Sequence, residues 1–203
     1  MKHAAQLHIM ELINLQFSYD DVEDRLLLRI AASENDSAHE LRAWLTRRFI
    51  TSFWGALQRA LAVQMTLVHP GAAHASAELI DMAHQSAIDT LALNGAFGER
   101  FRSDLPPHSA LAAPFLVVEA KFHIVAKEPM RINFLPSEGA GIEIAFDDTE
   151  LHGFCSLLLQ SIQASQWDLP LQLDSAWEEG KVEDGGVETG FDAPVAGTSR
   201  LLN

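Results

Sequence analysis

The chain has 203 residues, 48% of them hydrophobic and 21% charged, a composition of ordinary globular proteins that leaves enough length to bury about 70% of the unfolded surface. A single cysteine, Cys155, excludes an internal disulfide framework and fits a reducing compartment, so the cytoplasm is the expected location. The net charge of −14 repels nucleic acid and anionic lipid on average, but it is uneven: residues 1–70 carry −1, residues 71–167 carry −7 and residues 168–203 carry −6.

At the N-terminus His3, Gln6, His8 and Glu11 interrupt any secretory apolar run, and no window reaches the 18 apolar residues of a membrane span. Ile13, Leu15, Phe17 and Tyr19 then alternate with Asn14, Gln16 and Ser18, which predicts a half-buried strand. Acidic residues 20–24 suit a turn. Leu26, Leu28 and Ile30 alternate with Arg25, Leu27 and Arg29 as a second strand, and after a turn at residues 33–38 Leu41, Ala43 and Leu45 alternate with Arg42 and Trp44 as a third. Thr46 is placed to cap a helix carrying Phe49, Ile50, Phe53, Trp54, Leu57 and Leu61, stopped by His69, Pro70 and Gly71. Ser76 is placed to cap a middle helix with its stripe at Leu79, Ile80, Ala83, Ala87 and Leu91. Breakers between residues 94 and 114 mark a linker.

The strand pattern then returns. Val118, Ala120, Phe122 and Ile124 alternate with Glu119, Lys121 and His123; Ile132 and Phe134 follow, then Ile142, Ile144 and Phe146, then a helix with Leu151, Phe154, Leu158 and Ile162 behind Asp147 or Asp148. Apolar positions of the first half fall on those of the second at offsets of 105, 104 and 101, the register changing only at turns. The expected fold is α+β: two strand-strand-strand-helix units with antiparallel sheets covered by helices on one face. The expected organisation is residues 1–70, a middle helix and linker at 71–114, a second unit at 115–167, and an acidic, Gly-rich tail at 168–203 expected to be flexible beyond a docked Leu169, Leu171, Leu173 and Trp177.

Candidate chemistry lies on the polar faces of the two meanders. Alternation puts Arg25, Arg29, Arg42 and Trp44 there, near Gln16 and Ser18, with Lys121, His123, Arg131 and Asn133 in matching places. Cations with an indole on a sheet face suit phosphates and a stacked base, so single-stranded DNA or RNA is the first expected partner. The alternatives are a basic protein recruited by the acidic surface, or a second copy. Arg47 and Arg48 begin the first helix, where cations oppose the macrodipole and an anion would compensate them. Arg100 and Arg102, interleaved with Phe97 and Phe101, form a second basic and aromatic cluster that reads as a loop anchor.

The order of strands and closing helix, repeated once over residues 12–164, resembles the Whirly and positive-cofactor-four family of single-stranded DNA-binding proteins, a likeness that implies single-strand binding on the sheets. DRLLLRI and LRAWLTRRF resemble stretches of bacterial proteins of no assigned activity. No enzyme motif occurs, and no cofactor is implied. His74, Glu78 and Asp81 share a helical face, which describes a solvated acidic surface more simply than a metal site. His152 and Cys155 have the spacing of a base and a thiol, but Cys155 adjoins apolar Phe154 and reads as structural. Gly139 and Gly141 read as a hairpin turn. The tail either solubilises or competes for the basic sheet face.

Overall fold

Alternation at period two builds three long strands in the first half of the protein. They are β1 (Leu7–Asp20), β2 (Arg25–Glu34) and β3 (Ser37–Thr46), in a computed structural model that describes residues 7–34, 37–94, 101–102, 104–171 and 197–201. Helix α1 (Arg47–Val68) follows without a break, then a 3-10 segment (Pro70–Ala75) and α2 (Ser76–Leu93). The second half supplies the two-residue β4 (Phe115–Leu116), then β5 (Glu119–Ile124), β6 (Met130–Leu135), β7 (Gly141–Phe146) and α3 (Asp148–Ser165); β8 (Gly197–Leu201) comes last. The fold is α+β. Among the described residues no helix is long and apolar enough to cross a membrane.

The two meanders are not separate sheets. Among the described residues the eight strands form one sheet in the order β4-β3-β2-β1-β7-β6-β5-β8. Neighbours within each meander are antiparallel, but β1 meets β7 in parallel through Leu7–Met10, and β4 meets β3 in parallel. Only Val117 and Val118 separate β4 from β5; the Val117 amide bonds the Trp44 carbonyl and the Val118 amide bonds the Leu135 carbonyl. The chain therefore switches from the edge of one meander to the strand β5 of the other at this point. The same switch occurs in β1, whose residues 7–10 pair with β7 and whose residues 11–20 pair with β2, with a bulge at Ile13 near the start of the second part. That bulge corrects the sequence expectation for Ile13: it stands outside the ladder, 43% exposed, and Leu12 packs on the core in its place.

The helices cross over as well. Phe53 of α1 lies 5.6 Å from Phe122 in β5 and 5.7 Å from Phe134 in β6, while Phe154 of α3 lies 5.5 Å from Phe17 in β1. Each half's helix covers strands of the other half, and Phe53 meets Phe154 edge-on at 6.1 Å. One core results, with Leu26, Leu28, Ile30, Leu41, Phe122, Ile132, Phe134, Ile144 and Phe146 all within 1% of complete burial.

The helix starts are set locally. The Thr46 hydroxyl accepts the Phe49 amide at 3.1 Å, and Asp147 caps α3 in a full capping box with Glu150. Ser76 makes no cap; α2 starts from Ala75 with no side-chain bond, continuing the 3-10 segment before it. Of 18 residues in α2 only Ile80 and Ala87 are buried, where it rests on α1 and α3.

The linker is not free chain where it is described. Pro106 and His108 bond the backbone of Glu40, so the segment runs along the open edge of β3 into β4. The tail departs from expectation too: residues 197–201 form a strand antiparallel to β5. Leu169 and Leu171 dock on the core, whereas Leu173, Trp177 and the rest of 172–196 lie outside the described residues.

Candidate interface on the outer sheet face

The face of the sheet turned away from α1 and α3 carries the residues that alternation placed there. Register sets them in rows across the strands: Gln16, Arg29 and Arg42 in one, Ser18, Leu27, Trp44 and Leu116 in the next, and Asp20, Arg25 and Thr46 beyond. Leu27 and Trp44 are half-buried and Leu116 is 40% exposed, so an apolar row lies between two polar ones. In the second meander the matching rows are His123, Arg131 and Ala145, and Lys121, Asn133 and Glu143, without an aromatic.

The cations are largely engaged inside the molecule. Arg29 donates Nε to Glu40 at 2.7 Å and Nη1 to Gln16 at 3.2 Å, with the Phe101 ring centred 4.3 Å from its guanidinium carbon. Arg131 pairs with Glu143 at 3.2 Å, Arg25 with Glu23 at 3.3 Å, and Lys121 sits 4.0 Å from Glu119. Glu40 and Glu143 are buried, which their arginines make tolerable. Two members of the set differ. Arg42 bonds the Ala112 carbonyl at 2.8 Å and has no carboxylate partner among the described residues; Trp44 offers its indole beside it. Glu40 and Glu143 each stand two residues along β3 or β7 from the direct cross-strand neighbour of the arginine they pair with, a diagonal that the linear sequence does not display.

Arg47 and Arg48 are exposed at the start of α1. Arg47 helps to hold Asp24 below the usual carboxylate range, although hydrogen bonds from Trp167 and Tyr19 do more. That turn therefore absorbs part of the charge that would otherwise await an anion. Phe101 is placed against the first meander; Phe97 and Arg100 lie outside the described residues.

His152 and Cys155 do not form a reactive pair. Cys155 is fully buried, and burial pushes its thiol up to about 12, so no thiolate forms at neutral pH. His152 instead places Nδ1 3.3 Å from Nδ1 of His84 on α2. Among the described residues no three His, Cys, Asp or Glu side chains converge as metal ligands. Gly139 sits at φ +93° in the β6–β7 turn, and a Cβ on Gly141 would lie 2.6 Å from the Phe134 carbonyl oxygen, so both serve the hairpin.

Comparison with protein-family models, curated proteins and solved structures finds no match to this chain.

Proposed function

We propose that the protein is a non-enzymatic binding module whose outer sheet face takes a protein partner at Leu27, Trp44 and Leu116. The observation that carries this reading is an indole and two leucines in one row, flanked by Arg25 and Arg29 whose charges are already paired and by Arg42, which is bonded to a backbone carbonyl. Tryptophan and arginine dominate the binding energy of protein interfaces, whereas phosphate binding draws on cations free to release counterions. Drawing Arg29 or Arg131 onto a phosphate would strand a buried Glu40 or Glu143. The net charge of −14 adds long-range attraction for a basic partner and repulsion between copies of the chain. The reading also takes the two halves as copies of one unit, since their contacts recur at the same offsets.

The test is a photocrosslinker at Leu116 in the full chain. A protein adduct that Trp44→Ala reduces tenfold or more is expected, and native mass separates a second copy from another protein. Arg42 beside Trp44 favours the second reading, single-stranded nucleic acid at the same row. Anisotropy with a labelled oligonucleotide decides between them: binding that falls steeply with salt and is lost in Trp44→Ala and Arg42→Ala would replace the protein reading with that one.

A further inference from the structure

The long part of β1 is an edge. Beyond Met10 it pairs only with β2 among the described residues, leaving the other side of residues 12–19 without a backbone partner. The corresponding strand of the second half is not left so: β5 has β6 on one side and residues 197–201 on the other, antiparallel. The offset of 105 that carries Phe17 onto Phe122 carries residues 15–19 onto 120–124, the stretch that β8 covers. Burial follows the difference, for Ala120, Phe122 and Ile124 are 0–2% exposed while Leu15, Phe17 and Tyr19 are only half-buried.

An uncovered strand usually carries a charged side chain, a proline or a bulge that discourages pairing. Residues 12–19, LINLQFSY, have no charge and no proline, and their one bulge, at Ile13, leaves residues 14–19 regular. Their ends are acidic instead. At the turn, Asp20 accepts the Val22 and Glu23 amides, Asp24 accepts from Tyr19 and Trp167, and Glu23 pairs with Arg25. That leaves Asp21 at one end and Glu11 at the other, both exposed and without an ion pair among the described residues. Two copies pairing β1 on β1 antiparallel would bring Glu11 of each toward the acidic turn of the other, which disfavours self-association.

We propose that this edge of β1 accepts an extended strand from a protein partner, antiparallel, with alternating apolar residues and a basic residue at the end that meets Asp21. Strand addition of this kind draws affinity from main-chain hydrogen bonds and specificity from alternate side chains. The site is distinct from the outer-face row and stands or falls apart from it.

The probe is an acetylated peptide of alternating threonine and valine with lysine at its N-terminal end, compared with the same peptide carrying glutamate there, each titrated into the full chain by amide NMR. Shifts confined to residues 12–21, with the lysine peptide binding at least tenfold more tightly, are expected. Asp21→Lys, a surface change outside the core, should invert that preference, and Trp44→Ala should leave it unchanged. No shift from either peptide at millimolar concentration overturns the proposal. So do shifts centred on residues 119–124, which report displacement of β8, and so does binding lost in Trp44→Ala, which moves it to the outer face.

Discussion

His84 and His152 meet across the α2–α3 contact with their Nδ1 atoms 3.3 Å apart, a distance at which one imidazole donates to the other and both cannot carry a proton there. His152 is 4% exposed, and burial, reinforced by His84, pulls its pKa down to about 4 from 6.5; burial lowers His84 as well, with Asp81 opposing. A histidine depressed in the folded state takes up its proton first in the unfolded chain. Its contribution is therefore complete above pH 6.5 and is lost as pH falls from there to about 4. At about 1.4 kcal/mol per unit, the loss attributable to His152 reaches about 3 kcal/mol at most. Denaturant unfolding at pH 7 and pH 4.5 should show that loss in the native sequence and a much smaller one in His152→Leu; equal losses would remove the pair as the cause. Gly141 is a second residue whose role is geometric. Its backbone lies so close to Phe134 that Gly141→Ala should cost roughly 1–3 kcal/mol, read as a lower denaturation midpoint with an unchanged slope.

At the scale of elements, the two long capped helices differ in how well they begin. Thr46 supplies one bond to α1, whose first residues Arg47 and Arg48 oppose the helix dipole, whereas Asp147 supplies charge, a bond to Glu150 and a returned bond from it. Asp147→Ala should therefore cost more than Thr46→Ala, about 1–2 against about 1 kcal/mol, in thermal or denaturant unfolding. Thr46 was legible and the α3 cap was narrowed to Asp147 or Asp148, because a cap is a local matter of one side chain and the amide three residues on. Ser76 has the cap's chemistry but makes no cap, since the 3-10 segment runs straight into α2. The strands were legible for a similar reason, since Leu26, Leu28 and Ile30 answer to a period of two whatever they pair with. Ile13 was not, because a bulge changes the phase of alternation without changing the residues that show it. The outer face was read correctly as to position, with Arg25, Arg29, Arg42, Trp44, Lys121 and Arg131 all on it. What escaped was charge pairing: Glu40 and Glu143 reach their arginines diagonally across strands whose register a linear sequence does not give.

At the scale of the whole molecule, two meanders and two helices are joined by contacts that the offsets carry into one another. Met10 pairs with Ile144; moving Met10 by 105 and Ile144 by −101 gives Phe115 and Ala43, which also pair. The ring contact of Phe154 with Phe17 becomes that of Phe53 with Phe122 in the same way, at 5.5 and 5.6 Å, and Thr46 moves onto Asp147 as the cap. None of this was visible in periodicity, which reports which side of a strand is buried and not against what. The arrangement has a mechanical consequence. Each helix covers the other half's strands, and each first strand begins on the other half's third, so neither half holds a complete core. A protease site placed between Asn94 and Phe101 tests it. After cleavage the fragments should co-elute and unfold in a single transition, because what joins them is the shared core. Separated in denaturant, each alone should lack near-ultraviolet circular dichroism and regain it on mixing. Fragments that part on the column, or a half that folds by itself, would mean that the crossing of α1 onto β5 and β6 and of α3 onto β1 adds little to two independently stable units.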